Sequence, residues 1–336
     1  MENIVNILTN DEMSHEEKVK KAQERLLEKN LGNGNNLMMM LDRIKDYGRA
    51  IPTGYSEIDD LLNGGFRQGV SIVAAPPGMG KSTFAIQLAE QFSSAGVQTV
   101  YLCNDMSEEE TISKAVSRHT YHGAGEQGFS AAQILGGQVM ASPLFHQACE
   151  QFQKNAKMLR IEGDEFSRDL QQIKMLLEVY GAYGTNDYTV VIIDYLQNIQ
   201  VEQASNAKER LDILVKELKS SAKRLGLIII AISSVNRGSY HYGIKMESLK
   251  ESGDIEFGAD LILGIQYEGV ENADFDERAA ALEPIRNMEL VVLKHRLGGA
   301  GTSVPIKFYP KYSAIPWYDQ TPKLRKTSLD RLLKRN

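Results

Sequence analysis

The stretch Ile72-Val73-Ala74-Ala75-Pro76-Pro77-Gly78-Met79-Gly80-Lys81-Ser82-Thr83 decides how the rest of the chain is read. A β-branched apolar run enters a glycine-bearing turn that closes on Gly80-Lys81-Ser82. An amphipathic segment leaves it, with Phe84, Ile86, Leu88, Ala89 and Phe92 as its apolar positions. Strand, turn and helix in that order match G-x-x-x-x-G-K-[ST], with Ala75 at the first glycine position. The pattern works because backbone N–H groups and a helix N-terminus cradle a phosphate, the lysine reaches the β and γ oxygens, and the hydroxyl holds Mg2+. Pro77, Gly78, Met79, Gly80, Lys81, Ser82 and Thr83 are therefore the candidate nucleotide-binding residues, with ATP and Mg2+ as the expected ligands.

With 336 residues, 42% of them hydrophobic, the chain can bury one large α/β core and carry a small appendage. A net charge of −6 excludes a protein coated in basic surface and leaves any nucleic-acid contact to local patches. Cys103 and Cys149 are far apart and form no C-x-x-C pair, so the expectation is a reducing, cytoplasmic setting with both thiols in the core. The longest apolar run, 225–232, is too short to span a bilayer, and no membrane partner is expected. His119 and His122 stand three apart without a third ligand to complete a zinc site.

Outward from the loop, residues 1–50 read as a helical arm. Ser14-His15-Glu16-Glu17 is a capping box opening a thinly amphipathic helix. After the polar run 30–36, Leu37, Met40, Leu41 and Ile44 follow helical spacing up to Gly48. Such a stripe either folds back on its own domain or packs on a neighbouring subunit.

From Ile51 onward strands and helices alternate, as in a twisted, mostly parallel sheet flanked by helices. Thr99–Cys103 reads as a strand ending at Asn104-Asp105, which sets Asp105 at the ligand crevice near a γ-phosphate and its attacking water. Val190-Val191-Ile192-Ile193-Asp194 is a buried strand ending in a carboxylate suited to hold Mg2+ through water. A third strand, Leu227–Ile232, runs into Ser233-Ser234-Val235-Asn236-Arg237, where Ser234 and Arg237 are candidate phosphate sensors. A fourth covers Asp260–Gln266. The fifth, Leu290–Leu293, leads to Lys294-His295-Arg296, two cations alternating along one strand face. They could serve this subunit's nucleotide or a neighbour's. The stretch 269–287 carries no motif and reads as a surface insertion.

Together these motifs resemble the RecA-type motor domain of the DnaB-like hexameric replicative helicases, over roughly 51–318. Ile51-Pro52-Thr53-Gly54-Tyr55 with Asp59 and Gly64-Gly65 resembles the family's opening motif. Asp194-Tyr195-Leu196-Gln197 resembles its metal strand, Glu251-Ser252-Gly253 its Glu-Ser-Gly loop, and Lys294-His295-Arg296 the strand that supplies an arginine finger. The resemblance implies a P-loop ATPase assembled as a hexameric ring that moves along single-stranded DNA in replication. Lys81, Ser82 and Asp194 would bind nucleotide and Mg2+ in one subunit, while Arg296, supported by Lys294, reaches across from the next. Lys250, Glu251 and Gly253, with Lys208 and Arg210 after the metal strand, would grip the DNA backbone without reading its sequence. A helicase loader or primase is the further partner implied.

Three departures from the family temper this. Asp105 stands where the family has Glu; a carboxylate one methylene shorter sits about 1.5 Å back, and misplacement of that order costs about 10²-fold in rate. Ser234 replaces the usual Gln sensor. Only residues 1–50 precede the core, so the collar that docks primase in the family is not expected. An alternative function follows from these departures, an ATP-gated single-stranded-DNA-binding scaffold with weak or no unwinding. Residues 319–336 read as a basic tail that either meets phosphates or is solvated.

Overall fold

The computed structural model describes residues 13–28, 49–163, 167–182, 188–235, 243–249 and 258–316, with the single positions 10, 41 and 165. The chain divides into residues 1–49 and residues 50–336. In the first unit, helix α1 (His15–Glu28) starts at the capping box: Glu17 N donates to Ser14 Oγ at 3.3 Å and Ser14 N donates to Glu17 Oε2 at 3.0 Å. Apart from Leu41, the expected helix from Leu37 to Ile44 lies outside the described residues, as does the basic tail.

The second unit is built on one sheet of eight strands. They are β1 (Gly69–Ala75), β2 (Gln98–Cys103), β3 (Leu159–Glu162), β4 (Thr189–Asp194), β5 (Ile228–Ser234), β6 (Leu261–Tyr267), β7 (Arg286–His295) and β8 (Ser303–Phe308). Their order is β3-β2-β4-β5-β1-β6-β7-β8. Pairing is parallel from β3 to β6 and antiparallel for β6–β7 and β7–β8. The helices are α2 (Ser56–Leu61), α3 (Lys81–Ser94), α4 (Glu108–Ala124), α5 (Ala131–Leu135), α6 (Pro143–Asn155), α7 (Leu170–Ala182), α8 (Ala207–Leu225) and α9 (Glu277–Leu282).

Strands covered on both faces need no polar face, and β4 and β5 accordingly read as unbroken apolar runs. Val190, Val191, Ile192, Ile193 and Ile228 through Ile232 are buried. The edges follow different chemistry and were not legible in the sequence. In β3, an edge strand, Arg160 points to solvent between half-buried neighbours; β8 carries Pro305 and Lys307, residues that an edge tolerates because it leaves backbone donors unpaired. The expected strand 290–293 is the middle of the ten-residue β7. The start of that strand lies within the stretch read as an insertion, which also holds α9.

Sheet polarity organises the molecule. At one end, register pairs Ala75 with Ser234 and Cys103 with Asp194, so the carboxyl ends of β1, β2, β4 and β5 converge. At the other, Gly69 of β1 lies beside Asp260, and His295 of β7 pairs with Leu261. The two ends are separated by the length of β1, about 20 Å at 3.3 Å per residue.

Candidate functional site

At the carboxyl end of β1 the chain turns through two glycines in the left-handed region, Gly78 (φ 78°) and Gly80 (φ 81°). A side chain at either position would be strained, and a Cβ on Gly80 would also lie 3.2 Å from the Phe308 ring. Helix α3 begins at the next residue, so its unpaired N–H groups face the turn. Pro77 and Gly78 are exposed, while Met79 and Thr83 are buried and fasten the loop to the core. Lys81 Nζ donates to Ala75 O at 2.9 Å and Pro76 O at 3.0 Å. Burial lowers its pKa to about 8, against the opposing pull of the Asp194 and Asp105 charges.

A second cation touches the loop that sequence reasoning missed. Arg286 Nη1 donates to Gly78 O at 3.0 Å and Nη2 donates to Ala281 O at 2.7 Å, with the guanidinium 5.8 Å over the Phe308 ring. The stretch 269–287 is therefore more than a surface insertion: Arg286, where it enters β7, braces the loop. The signal is the register of Arg286 with Phe308, which exists only once β7 and β8 pair.

Asp194 closes β4 at 2% exposure. Tyr101 donates to its Oδ2 at 2.6 Å. Burial raises the Asp194 pKa, opposed by the Tyr101 hydroxyl, by the Ser82 hydroxyl and by the charge of Lys114. A loop hydroxyl and a carboxylate oxygen brought together in this way are hard donors that fit Mg2+, which binds through one or two protein oxygens and keeps several waters. Among the described residues no group of three or more His, Cys, Asp or Glu side chains could hold another metal. His119 instead meets Glu90 at 2.7 Å beside Arg118, a buried ion cluster joining α3 and α4.

Asp105 lies exposed at the end of β2, with Asn198 Nδ2 3.5 Å from its Oδ1. Behind it Ser107 caps α4 in a reciprocal box with Glu110. That helix carries Lys114, which the sequence reading also missed. It donates to Met106 Sδ at 2.7 Å, and burial lowers its pKa while Asp194, Glu110 and Asp105 pull it up. Residues 107, 110 and 114 fall on one helix face, the spacing that could have revealed it.

Gln197 Nε2 donates to Ser233 Oγ at 2.9 Å, and Ser234 N donates to Gln197 Oε1 at 3.3 Å. Gln197, just after Asp194, thus links the end of β4 to β5, and Ser234 contributes its backbone. Arg237 lies outside the described residues.

Lys294 and Arg296 sit at the far end of the sheet, away from their own chain's Lys81 and Asp105. Lys294 Nζ donates to Ala259 O at 2.8 Å, and Arg296 Nη1 lies 3.2 Å from Asp260 Oδ1. β7 ends at His295, and Lys294 and Arg296 both reach the segment that leads into β6. Lys208 and Arg210 occupy the first turn of α8, Lys208 exposed and Arg210 half-buried beside the 201–206 loop. Lys250, Glu251 and Gly253 lie outside the described residues. No helix among the described residues is long and apolar enough to cross a membrane.

A family model, DnaB-like helicase C terminal domain, matches residues 50–316. Similar proteins include the replicative DNA helicase DnaB of Leifsonia xyli, 27% identical over 79% of this chain and 55% of the relative, and the replicative DNA helicase DnaC of Bacillus subtilis, 25% identical over 79% and 56%. A probable plasmid replicative DNA helicase of Chlamydia trachomatis is 26% identical over 79% and 54%. The chain thus spans about half the length of the curated relatives it matches. Among solved structures, an ATPase domain superimposes with a TM-score of 0.70 at 20% identity, covering 86% of this chain and 99% of that one. A DnaB-like replicative helicase solved with its interactions with primase gives 0.68 at 19%, covering 94% and 74%. These structures share the RecA-like fold, and with a match that runs from the phosphate loop through Arg296, the chain belongs to the family of DnaB-like helicase C-terminal domains.

Proposed function

We propose that residues 51–318 are the motor of an ATP-dependent DNA helicase that works as a hexameric ring on single-stranded DNA in replication, with residues 1–50 as a linking arm and 319–336 as a basic tail. The observation that supports this most is the separation of Lys81 from Arg296 by about the length of β1. A phosphate loop at one end of the sheet and a basic pair at the other complete a site only when two chains meet head to tail, and a head-to-tail contact that closes makes a ring.

In that ring, Lys81 reaches the β and γ oxygens of ATP, and Ser82 and Asp194 would hold Mg2+. When bound, Mg2+ neutralises charge on those phosphates. Asp105 orients the attacking water, and Arg286 keeps the loop in place. Arg296, with Lys294, stabilises the charge that develops on the neighbour's γ-phosphate. Lys208 and Arg210, with Lys250, Glu251 and Gly253, hold DNA phosphates. The Gln197–Ser233 link joins the metal strand to β5, a route by which phosphate state reaches the DNA side. A loader or primase is a proposed further partner.

Two measurements test the reading. Strand displacement on a forked substrate should require ATP, and light scattering with ATP and single-stranded DNA should give the mass of a ring. ATP-dependent DNA binding without strand release would favour the scaffold alternative. The position of Asp105 gives a sharper test: Asp105→Glu should raise single-turnover hydrolysis, by up to about 10²-fold, because the longer arm reaches the water. An unchanged or slower rate would remove Asp105 from the water-orienting role.

A further inference from the structure

We infer that Asp260 is a positioning residue whose carboxylate holds Arg296 for the neighbouring subunit and ties it to the helix carrying Lys208 and Arg210. The inference rests on the ring reading above. One oxygen of Asp260 is shared by two cations: Lys219 Nζ lies 3.0 Å from Oδ1, and Arg296 Nη1 lies 3.2 Å from the same atom. The other oxygen is anchored to the sheet, accepting from the Val70 amide at 3.1 Å. Gly69 makes that approach possible, since a Cβ there would lie 2.5 Å from Oδ2. With the carboxylate fixed and two like charges meeting on one oxygen, movement of Lys219 alters how Arg296 is held.

Lys219 stands on α8, about 16 Å along the helix from Lys208. Leu211, Leu214, Val215 and Leu218 bury the apolar face of that helix. Lys219 Nζ also donates to Gly258 O at 2.7 Å. Gly258 packs on Val215, one turn earlier, so closely that a Cβ would lie 2.4 Å from Cγ1. The helix and the approach to β6 therefore move together. Arg296 is tied to that approach twice, because its backbone N–H also donates to Asp260 O at 3.0 Å. All three side chains of the ion cluster are partly exposed, so solvent screens the pairs and the shared contact exchanges readily. DNA seated at the start of α8 shifts the helix and redistributes Oδ1 between Lys219 and Arg296. The aim of the finger thus follows DNA occupancy.

The test uses the full chain. Lys219→Gln removes the charge and keeps an N–H donor for Gly258. Stimulation by oligothymidine, taken as the ratio of its DNA-bound to its DNA-free ATPase rate, should fall about tenfold. Hydrogen exchange of the peptide carrying Arg296 should respond to oligothymidine in wild type and not in the variant. Wild-type stimulation and exchange in Lys219→Gln would overturn the inference. Asp260→Asn should lower kcat while KM for ATP stays close to wild type, and a wild-type kcat there would overturn it as well. Failure of the ring reading is distinguishable: wild-type protein would then show no DNA stimulation at all, and both ideas would fall together.

Discussion

Lys81→Ala protein is expected to lose DNA-stimulated ATP hydrolysis, by on the order of 10²–10³-fold in kcat/KM, because a preorganised cation facing the transferring phosphoryl group is removed. The fold should survive. Among the described residues Lys81 Nζ bonds the backbone carbonyls of Ala75 and Pro76, and the nearby Asp194 carboxylate keeps the Tyr101 hydroxyl as its partner when Lys81 is lost. Steady-state ATPase with circular dichroism as the folding control checks this, and near-normal hydrolysis in the variant would remove Lys81 from the phosphate site. A pH arm follows from the same residue. Burial lowers the Lys81 pKa from 10.5 to about 8. The ammonium is the form that meets phosphate, so KM for ATP in wild type should rise as pH passes 8. Stability should move the other way: between pH 8 and 10.5 the unfolded chain holds more protons than the folded one, so folding becomes more favourable as pH rises through that window.

Arg296→Ala should cost on the order of 10³-fold in kcat if the guanidinium acts on a neighbour's γ-phosphate. Its ion pair with Asp260 is half exposed and contributes no more than about 1 kcal/mol to stability, so an inactive variant would not be an unfolded one. Mixing is the decisive measurement. Subunits carrying Lys81→Ala and subunits carrying Arg296→Ala are each defective, but a ring assembled from both contains interfaces where an intact phosphate loop faces an intact finger. Activity should reappear on mixing. If it does not, or if Arg296→Ala hydrolyses ATP like wild type, the finger assignment fails. A strictly monomeric protein with full ATPase activity would remove the ring as well.

Much of the site was legible because its chemistry is local. The turn from Ala75 to Thr83 needs two left-handed residues followed at once by a helix start, and only a narrow set of residues in that order meets those demands. Asp194 announced itself as a charge at the end of an apolar run, a place where burial must be offset by a partner, and Tyr101 is that partner. Arg286 and Lys114 were not legible. Each is a single cation in a stretch with no motif, and each acquires meaning from a distant segment, Arg286 from Gly78 and Lys114 from Asp194. The Gln197 link was hidden for a related reason, since the expected sensor position on β5 carries serine and the amide arrives from another loop.

The sequence by itself determined a strand–turn–helix of phosphate-loop pattern, a sheet whose central strands are buried on both faces, and the presence of a basic pair after the fifth anticipated strand. All of these follow from side-chain pattern within short windows, where residue type and spacing constrain the backbone directly. Which end of the sheet the basic pair occupies was decided only by tertiary structure. Strand direction sets it: had β7 run parallel to β6, Arg296 would have emerged beside its own phosphate loop, but the antiparallel pairing of β7 delivers it to Asp260 and Lys219 at the opposite end. A strand's direction depends on the path of the connection before it, and no local pattern of side chains encodes that path.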